Sequence, residues 1–246
     1  PLLIPPFSIG RTQELLCEIE DILHRKAMLA VNPAAANKDQ SLPINWPQLP
    51  VIVDSPLAGR LTAAYRQLEP YWDGSAREHL SDNRNPLLFE QLITIDSHAK
   101  HLQTVNYLSS TGRPAIVIAA SGMCSSGRIV NYLKAMLSDP RHNVLFVGYQ
   151  AQGTVGANIQ KYGSTGGFVE LEGERCIIRA GVSSLGGYSA HADQQDLLNF
   201  VSGIDPLPKQ IRLVHGELFA KETLGNELYK LYNTRSQSLE LLIPEY

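Results

Sequence analysis

Short apolar runs alternate with segments of helical period along most of this chain, and that alternation narrows the folds open to it. Pro1-Leu2-Leu3-Ile4-Pro5, Val51-Ile52-Val53, Leu92 to Ile95, Ala115 to Ala120 and Val144 to Val147 read as strands. Gly10 to Leu29 carries Leu15, Leu16, Ile19, Ile22 and Leu23 at helical spacing. Its acids Glu14, Glu18, Glu20 and Asp21 precede Arg25 and Lys26, as the helix dipole favours. Leu57 to Leu68 is a second helix, with Pro56 suited to its first turn. Strands that alternate with helices imply a parallel sheet with crossover helices. The expected fold class is therefore α/β, a mostly parallel sheet flanked by helices.

The rhythm breaks once. Phe168 to Leu171 and Cys176 to Arg179 flank Glu172-Gly173-Glu174, a hairpin signal. It then resumes with helix Gln194 to Val201, strand Ile211 to Val214, helix Glu217 to Tyr232 and strand Ser238 to Ile243. A domain boundary is expected near Gly181, giving domains 1–181 and 182–246. Val31 to Pro50, rich in Pro, Asn and Ala, is expected to be loop.

At 246 residues, with 43% hydrophobic and 18% charged, the chain has the core of one large α/β domain or one and a half ordinary ones. No stretch approaches a membrane span and no signal segment opens it. Cys17, Cys124 and Cys176 are odd in number and widely spaced, which points away from a disulfide framework and towards a reducing, cytoplasmic setting. The net charge of −3 leaves any polyanion to a local basic patch. The chain opens without Met, inside a strand-like run, so it is expected to be a fragment of a longer polypeptide.

Three stretches carry candidate chemistry. Ile116 to Arg128 runs from a strand through Ser121-Gly122-Met123-Cys124-Ser125-Ser126-Gly127 into a helix. Backbone amides at such a helix start suit a phosphate group, with Arg128 as a further donor. Gly122 and Gly127 mimic nucleotide P-loop spacing, yet Arg128-Ile129 replaces the Lys and Ser/Thr that would reach the terminal phosphates and magnesium, which argues against an ATPase. A tight turn needing glycine only for geometry is the plainer reading of the same loop. The second and third stretches are Gly187-Tyr188-Ser189-Ala190-His191-Ala192-Asp193 and Leu213-Val214-His215-Gly216-Glu217, each at a strand-to-helix junction. Imidazole there binds a metal or moves a proton near neutral pH. Asp193 and Glu217, two residues on, are placed to orient the two rings. Taken singly, each His is as readily structural, and one His cannot hold zinc, which needs at least three protein ligands; a metal site here would draw the others from outside this chain.

Other features read as structural. Gly187 to His191 departs from a nucleophile elbow at its last position, where His stands for Gly. Cys124 is expected to be a small buried thiol rather than a nucleophile. His98 and His101 are expected to be solvated residues of a helix, and His24, His79 and His142 to lie in polar helix ends or loops.

Several motifs then fall in a specific order. They are Pro5-x-Phe7-Ser8-x-Gly10-Arg11-x-Gln13-Glu14-Leu15, Asp54-Ser55-Pro56-Leu57-Ala58, Ser121-Gly122-Met123 with Gly127-Arg128, Gly148-Tyr149-Gln150-Ala151-x-Gly153-Thr154, Ser189-Ala190-His191-Ala192-Asp193 and Val214-His215-Gly216-Glu217. This series resembles the β-CASP branch of the metallo-β-lactamase superfamily over nearly the whole chain. The resemblance implies a Rossmann-like β-CASP domain to about Gly181. The returning C-terminal segment of a metallo-β-lactamase αββα domain would follow it. It implies that His191 matches the family's motif B histidine, assisting proton transfer or phosphate binding. His215 would match the motif C zinc ligand and favour RNA over DNA. The family's His-x-His-x-Asp-His signature is absent, so two zinc ions are expected only in the longer parent, which supplies the N-terminal metallo-β-lactamase half.

The function so implied is part of a zinc-dependent ribonuclease acting on single-stranded RNA, with Ser121, Gly122 and Arg128 as phosphate contacts. The fragment alone is expected to be inactive. The alternative is a non-catalytic RNA-binding or protein-docking module of the same type. An exposed sheet edge leaves room for a homodimer.

Overall fold

A computed structural model of the chain describes residues 1–6, 10–31, 44–82, 84–186 and 192–244. The chain forms two compact units, Pro1–Ser189 and Ala190–Tyr246. In the first, β1 (Leu2–Ile4) is followed by α1 (Arg11–Val31), and β2 (Val51–Val53) by α2 (Pro56–Gln67) and α3 (Gly74–Ser81). Next come β3 (Leu92–Thr94) with α4 (His98–Thr111), β4 (Ile116–Ile118) with α5 (Arg128–Met136), and β5 (Asn143–Phe146) with α6 (Val155–Gly163). A hairpin of β6 (Phe168–Leu171) and β7 (Glu174–Ile177) precedes β8 (Gly181–Ser184).

Six strands pair in parallel in the order β3-β2-β4-β1-β5-β8. The expected α/β class with its mostly parallel sheet is what the first unit shows. Period-two alternation assigns each apolar side chain to a face. Leu3, Ile52, Val117, Val144 and Phe146 share one cluster with Val105 and Leu108 of α4 and with Ile129, Tyr132 and Leu133 of α5. Ile4, Val51, Val53 and Ile118 join Leu15, Leu16, Ile19 and Leu23 of α1 on the other side. Both faces are covered, and each fully buried Leu, Ile, Val or Phe contributes roughly 1.5–3 kcal/mol relative to exposure.

Three of the helices, α2, α4 and α6, start on hydroxyl caps. Ser55 Oγ accepts from the Ala58 N–H, Ser97 Oγ from that of Lys100, and Thr154 Oγ1 from that of Ala157. Hence strand ends, tight turns and helix starts gather along one edge of the sheet.

The hairpin forms as its sequence predicts, with Phe168 opposite Ile177 and Val169 opposite Cys176. Val169, Leu171 and Cys176 turn inward to the core. β8 has no such signature. Gly181-Val182-Ser183-Ser184 is mostly exposed, yet it aligns with Asn143 to Phe146 of β5 and extends the sheet. The boundary expected near Gly181 therefore coincides with the start of a strand that belongs to the first unit, whose compact body runs on to Ser189.

The second unit contains α7 (Gln194–Ser202), β9 (Gln210–Arg212), α8 (Leu218–Thr234) and β10 (Glu240–Leu242). β9 and β10 pair in parallel, so α8 is the crossover between them. Its packing centres on Leu207, Leu228 and Tyr232, whose hydroxyl donates to the Pro208 carbonyl at 2.6 Å. Phe200 and Phe219 remain 71% and 80% exposed. Among the described residues, no helix is long and apolar enough to cross a membrane.

Candidate functional site

In a parallel sheet with covered faces, ligands bind beyond the carboxyl ends of the strands, where the βα loops cluster. The loop from β4 to α5 is the most elaborate of these. The Ala119 N–H donates to the Ile4 carbonyl, the Cys124 N–H to that of Ser121, and the Ile129 N–H to that of Ala120. Gly127 closes the turn at φ +79°, where an added Cβ would stand 2.7 Å from the Ala120 carbonyl oxygen. No side chain caps α5 at this residue. The glycine spacing noted in the sequence therefore serves a tight turn, and the turn leaves the helix start without a side-chain acceptor.

The three expected phosphate contacts differ in setting. Ser121 is half-buried, and Gly122 is buried with its carbonyl accepting from Gln150 Nε2 at 2.9 Å. Ser125 and Ser126 at the tip are exposed, hydroxyls that the sequence reading passed over. Arg128 is held inward. Its Nη1 donates to Asp54 Oδ1 at 2.6 Å and to the Ile95 carbonyl at 3.0 Å, and 16% of its side chain stays exposed. Cys124 is fully buried, which pushes its thiol up to about 12 and suits an inert core group.

Asp54 is the unforeseen centre of this edge. It follows β2, is fully buried, and its Oδ2 accepts from the Tyr132 hydroxyl at 2.6 Å and lies 2.7 Å from His101 Nδ1. Asn131 Nδ2 lies 2.8 Å from His101 Nε2, on the other side of the ring. An amide donating there leaves the Nδ1 proton facing Asp54. Burial, and then the hydrogen bond to Asp54, raise the Tyr132 phenol far above its ordinary range, so it remains a donor. The expectation of a solvated His101 is overturned: it is fully buried, because it shares the inward stripe of α4 with Val105 and Leu108. His142, expected in a polar loop, is also fully buried.

The neighbouring loop from β5 to α6 is latched to this one. The Gly156 N–H donates to the Met123 carbonyl at 3.0 Å, and a Cβ on Gly156 would fall 1.8 Å from Gln150 Oε1. A side chain at that position would have to displace Gln150 of the same loop, and would crowd the Met123 carbonyl oxygen of the other at 3.2 Å.

His191 lies outside the described residues. Asp193, expected to orient it, is the cap of α7: its Oδ1 accepts from the Asp196 N–H at 2.9 Å, and Asp196 Oδ2 accepts from the Asp193 N–H at 3.2 Å. His215 is exposed between β9 and α8, on a cavity of about 420 Å³ that Leu197, Leu213, Phe219 and Leu224 also line. Glu217 is the residue from which α8 starts, two positions on. Among the described residues, no three His, Cys, Asp or Glu side chains converge as a metal site. They present one imidazole of the several donors that zinc needs, and do not fit the ion by themselves.

Comparison with known proteins identifies the family. A family model described as the Beta-Casp domain matches residues 12–159, and a Zn-dependent metallo-hydrolase RNA specificity domain matches residues 176–236. The chain is 34% identical over 240 residues to a ribonuclease of Thermus thermophilus, covering 98% of this chain and 48% of that protein. It is 28% identical to the transcription termination factor FttA of Methanosarcina mazei, covering 96% of this chain and 34% of the relative. Against the factor of the same name from Pyrococcus abyssi it is 31% identical, covering 88% and 30%. The chain thus spans about half the length, or less, of these curated relatives. With ordered motifs, a covered parallel sheet and both family models in register, the chain belongs to the β-CASP branch of the metallo-β-lactamase superfamily.

Proposed function

We propose that the chain is the β-CASP portion, with the returning C-terminal segment, of a zinc-dependent nuclease that hydrolyses phosphodiester bonds in single-stranded RNA. The observation that carries this reading is the β4–α5 loop, an uncapped helix start beside a guanidinium held at the sheet edge. The relatives' names, a ribonuclease and transcription termination factors, agree with an RNA substrate. Ser121, Gly122 and Arg128 are the proposed phosphate contacts, with Arg128 offering the part of its fork that Asp54 does not engage.

On this reading residues 1–181 are the β-CASP domain and 182–246 the returning segment. His215 is one zinc ligand, and the remaining ligands of two ions come from the N-terminal half of the same polypeptide. His191 serves proton transfer or phosphate binding, with Asp193 and Glu217 supporting the two rings. Zinc held in the complete protein by His215 and ligands from the other half would supply Lewis-acid stabilisation of negative charge on the phosphate. The apolar cavity beside His215 and the exposed Phe200 and Phe219 suit a surface covered by that other half. The three cysteines are free thiols, which fits a reducing cytoplasm.

Two measurements test the proposal. In the intact protein, Arg128→Ala should weaken binding of a single-stranded RNA oligonucleotide and make the salt slope shallower by about one unit. An unchanged slope would leave the loop structural. The present chain, incubated with zinc and the same RNA, should show no metal-dependent cleavage, whereas turnover lost in His191→Ala would refute its inactivity.

A further inference from the structure

The Asp54 cluster is larger than an ion pair at a strand end requires. One carboxylate collects donors from two helices: Tyr132 and Arg128 on α5 and His101 on α4. Asn131 secures the far side of the His101 ring, and the Tyr132 ring meets that imidazole edge-on at 5.4 Å. Asp54 itself is anchored by its N–H to the Ile118 carbonyl at 2.8 Å, so it sits rigidly between β2 and β4. Arg128 is held in turn. Two acceptors fix Nη1 from different strand ends, and the guanidinium is planar, so fixing one nitrogen fixes the direction of the rest.

We propose that Asp54 is a positioning residue for the RNA phosphate contact, acting through Arg128. It holds the guanidinium beside the β4–α5 loop through Nη1, with part of the side chain left exposed. This rests on the reading of that loop as the phosphate site. The cluster around Asp54 serves the same end: three donors, one of them a guanidinium, offset its charge, so it opposes an incoming phosphate less than an unpaired acid would.

The sign of one substitution separates this role from simple electrostatics. Asp54→Asn removes a negative charge near the phosphate, and charge alone would make RNA bind more tightly. Positioning gives the opposite: a misdirected guanidinium and weaker binding. The experiment is a double-mutant cycle on the intact protein, read by fluorescence anisotropy with a fluorescein-labelled oligouridine. Each variant's fold is checked by circular dichroism. Asp54→Asn should weaken binding about tenfold when Arg128 is present, and by less than about twofold in the Arg128→Ala background.

Tighter or unchanged binding in Asp54→Asn would overturn the inference. So would an equal loss in both backgrounds, which is the mark of a general structural role. If Asp54→Asn does not fold, Tyr132→Phe carries the same cycle with an expected loss of two- to threefold, again confined to the Arg128 background. A wild-type affinity that Arg128→Ala leaves untouched refutes the phosphate reading itself, and the inference with it. That outcome is separate from one in which Arg128 matters and Asp54 does not.

Discussion

The two units close their cores to different degrees. In the first, α1 lies on one face of a six-stranded sheet and α4 and α5 on the other, and Leu3, Val117, Phe146 and Tyr132 are inaccessible. In the second, a two-stranded ladder and two helices bury Leu207, Leu228 and Tyr232 while Phe200, Leu218 and Phe219 stay largely exposed. The second carries amphipathic elements whose apolar sides look onto the cavity that holds His215. His215 and exposed apolar side chains coincide there, in keeping with the cover proposed above.

That contrast can be broken by truncating one aromatic in each unit. Phe146→Ala should lower the chain's unfolding free energy by about 3–5 kcal/mol in urea titrations. Phe219→Ala should fall within about 0.5 kcal/mol in the same chain, because its side chain has little to lose. If the intact protein covers that surface, Phe219→Ala becomes costly there, and an equal, small effect in both would deny the cover. A smaller effect concerns the buried polar edge of the first unit. Tyr132→Phe removes one hydrogen bond to Asp54, at about 1.5–3 kcal/mol near neutral pH.

Tyr132 also sets a pH dependence. Its folded pKa is raised above the unfolded value, so its stabilisation is complete below pH ~10 and declines as the pH rises beyond it. The decline should be less steep in Tyr132→Phe by up to about 1.4 kcal/mol per pH unit, seen as a flatter alkaline limb in melting temperature against pH. The smallest effect is at Cys124. Its thiol, raised to about 12 by burial, should resist iodoacetamide at pH 8 until the first unit unfolds. Rapid labelling of the folded protein would show that the loop opens.

The sequence made the sheet legible because buried parallel strands are apolar on both faces, and Val51-Ile52-Val53 and Ile116-Val117-Ile118 say so plainly. β8 was not legible. Gly181-Val182-Ser183-Ser184 has one large apolar residue, and its place in the sheet comes from pairing with β5 rather than from a pattern of its own. At the site, the loop and its glycine turn were readable, but the direction of Arg128 was not, since that depends on an acid 74 positions earlier. A usable signal existed for His101. It lies at four- and seven-residue spacing from Val105 and Leu108, in the buried phase of α4, while Leu102 falls on the exposed side. The phase of the stripe carried more information than the polarity of the residue.

One further consequence follows from the position of β1. Leu2–Ile4 sits between β4 and β5, whose residues begin at Ile116 and Asn143. As a chain of this kind leaves the ribosome, this strand emerges before both of its neighbours and must wait for them to be made. Pairing of such high sequence separation folds slowly, because the loop has to close before the contacts reward it. During that interval an apolar strand with two open edges is exposed, and the unit is most exposed to misassembly before its loops take shape.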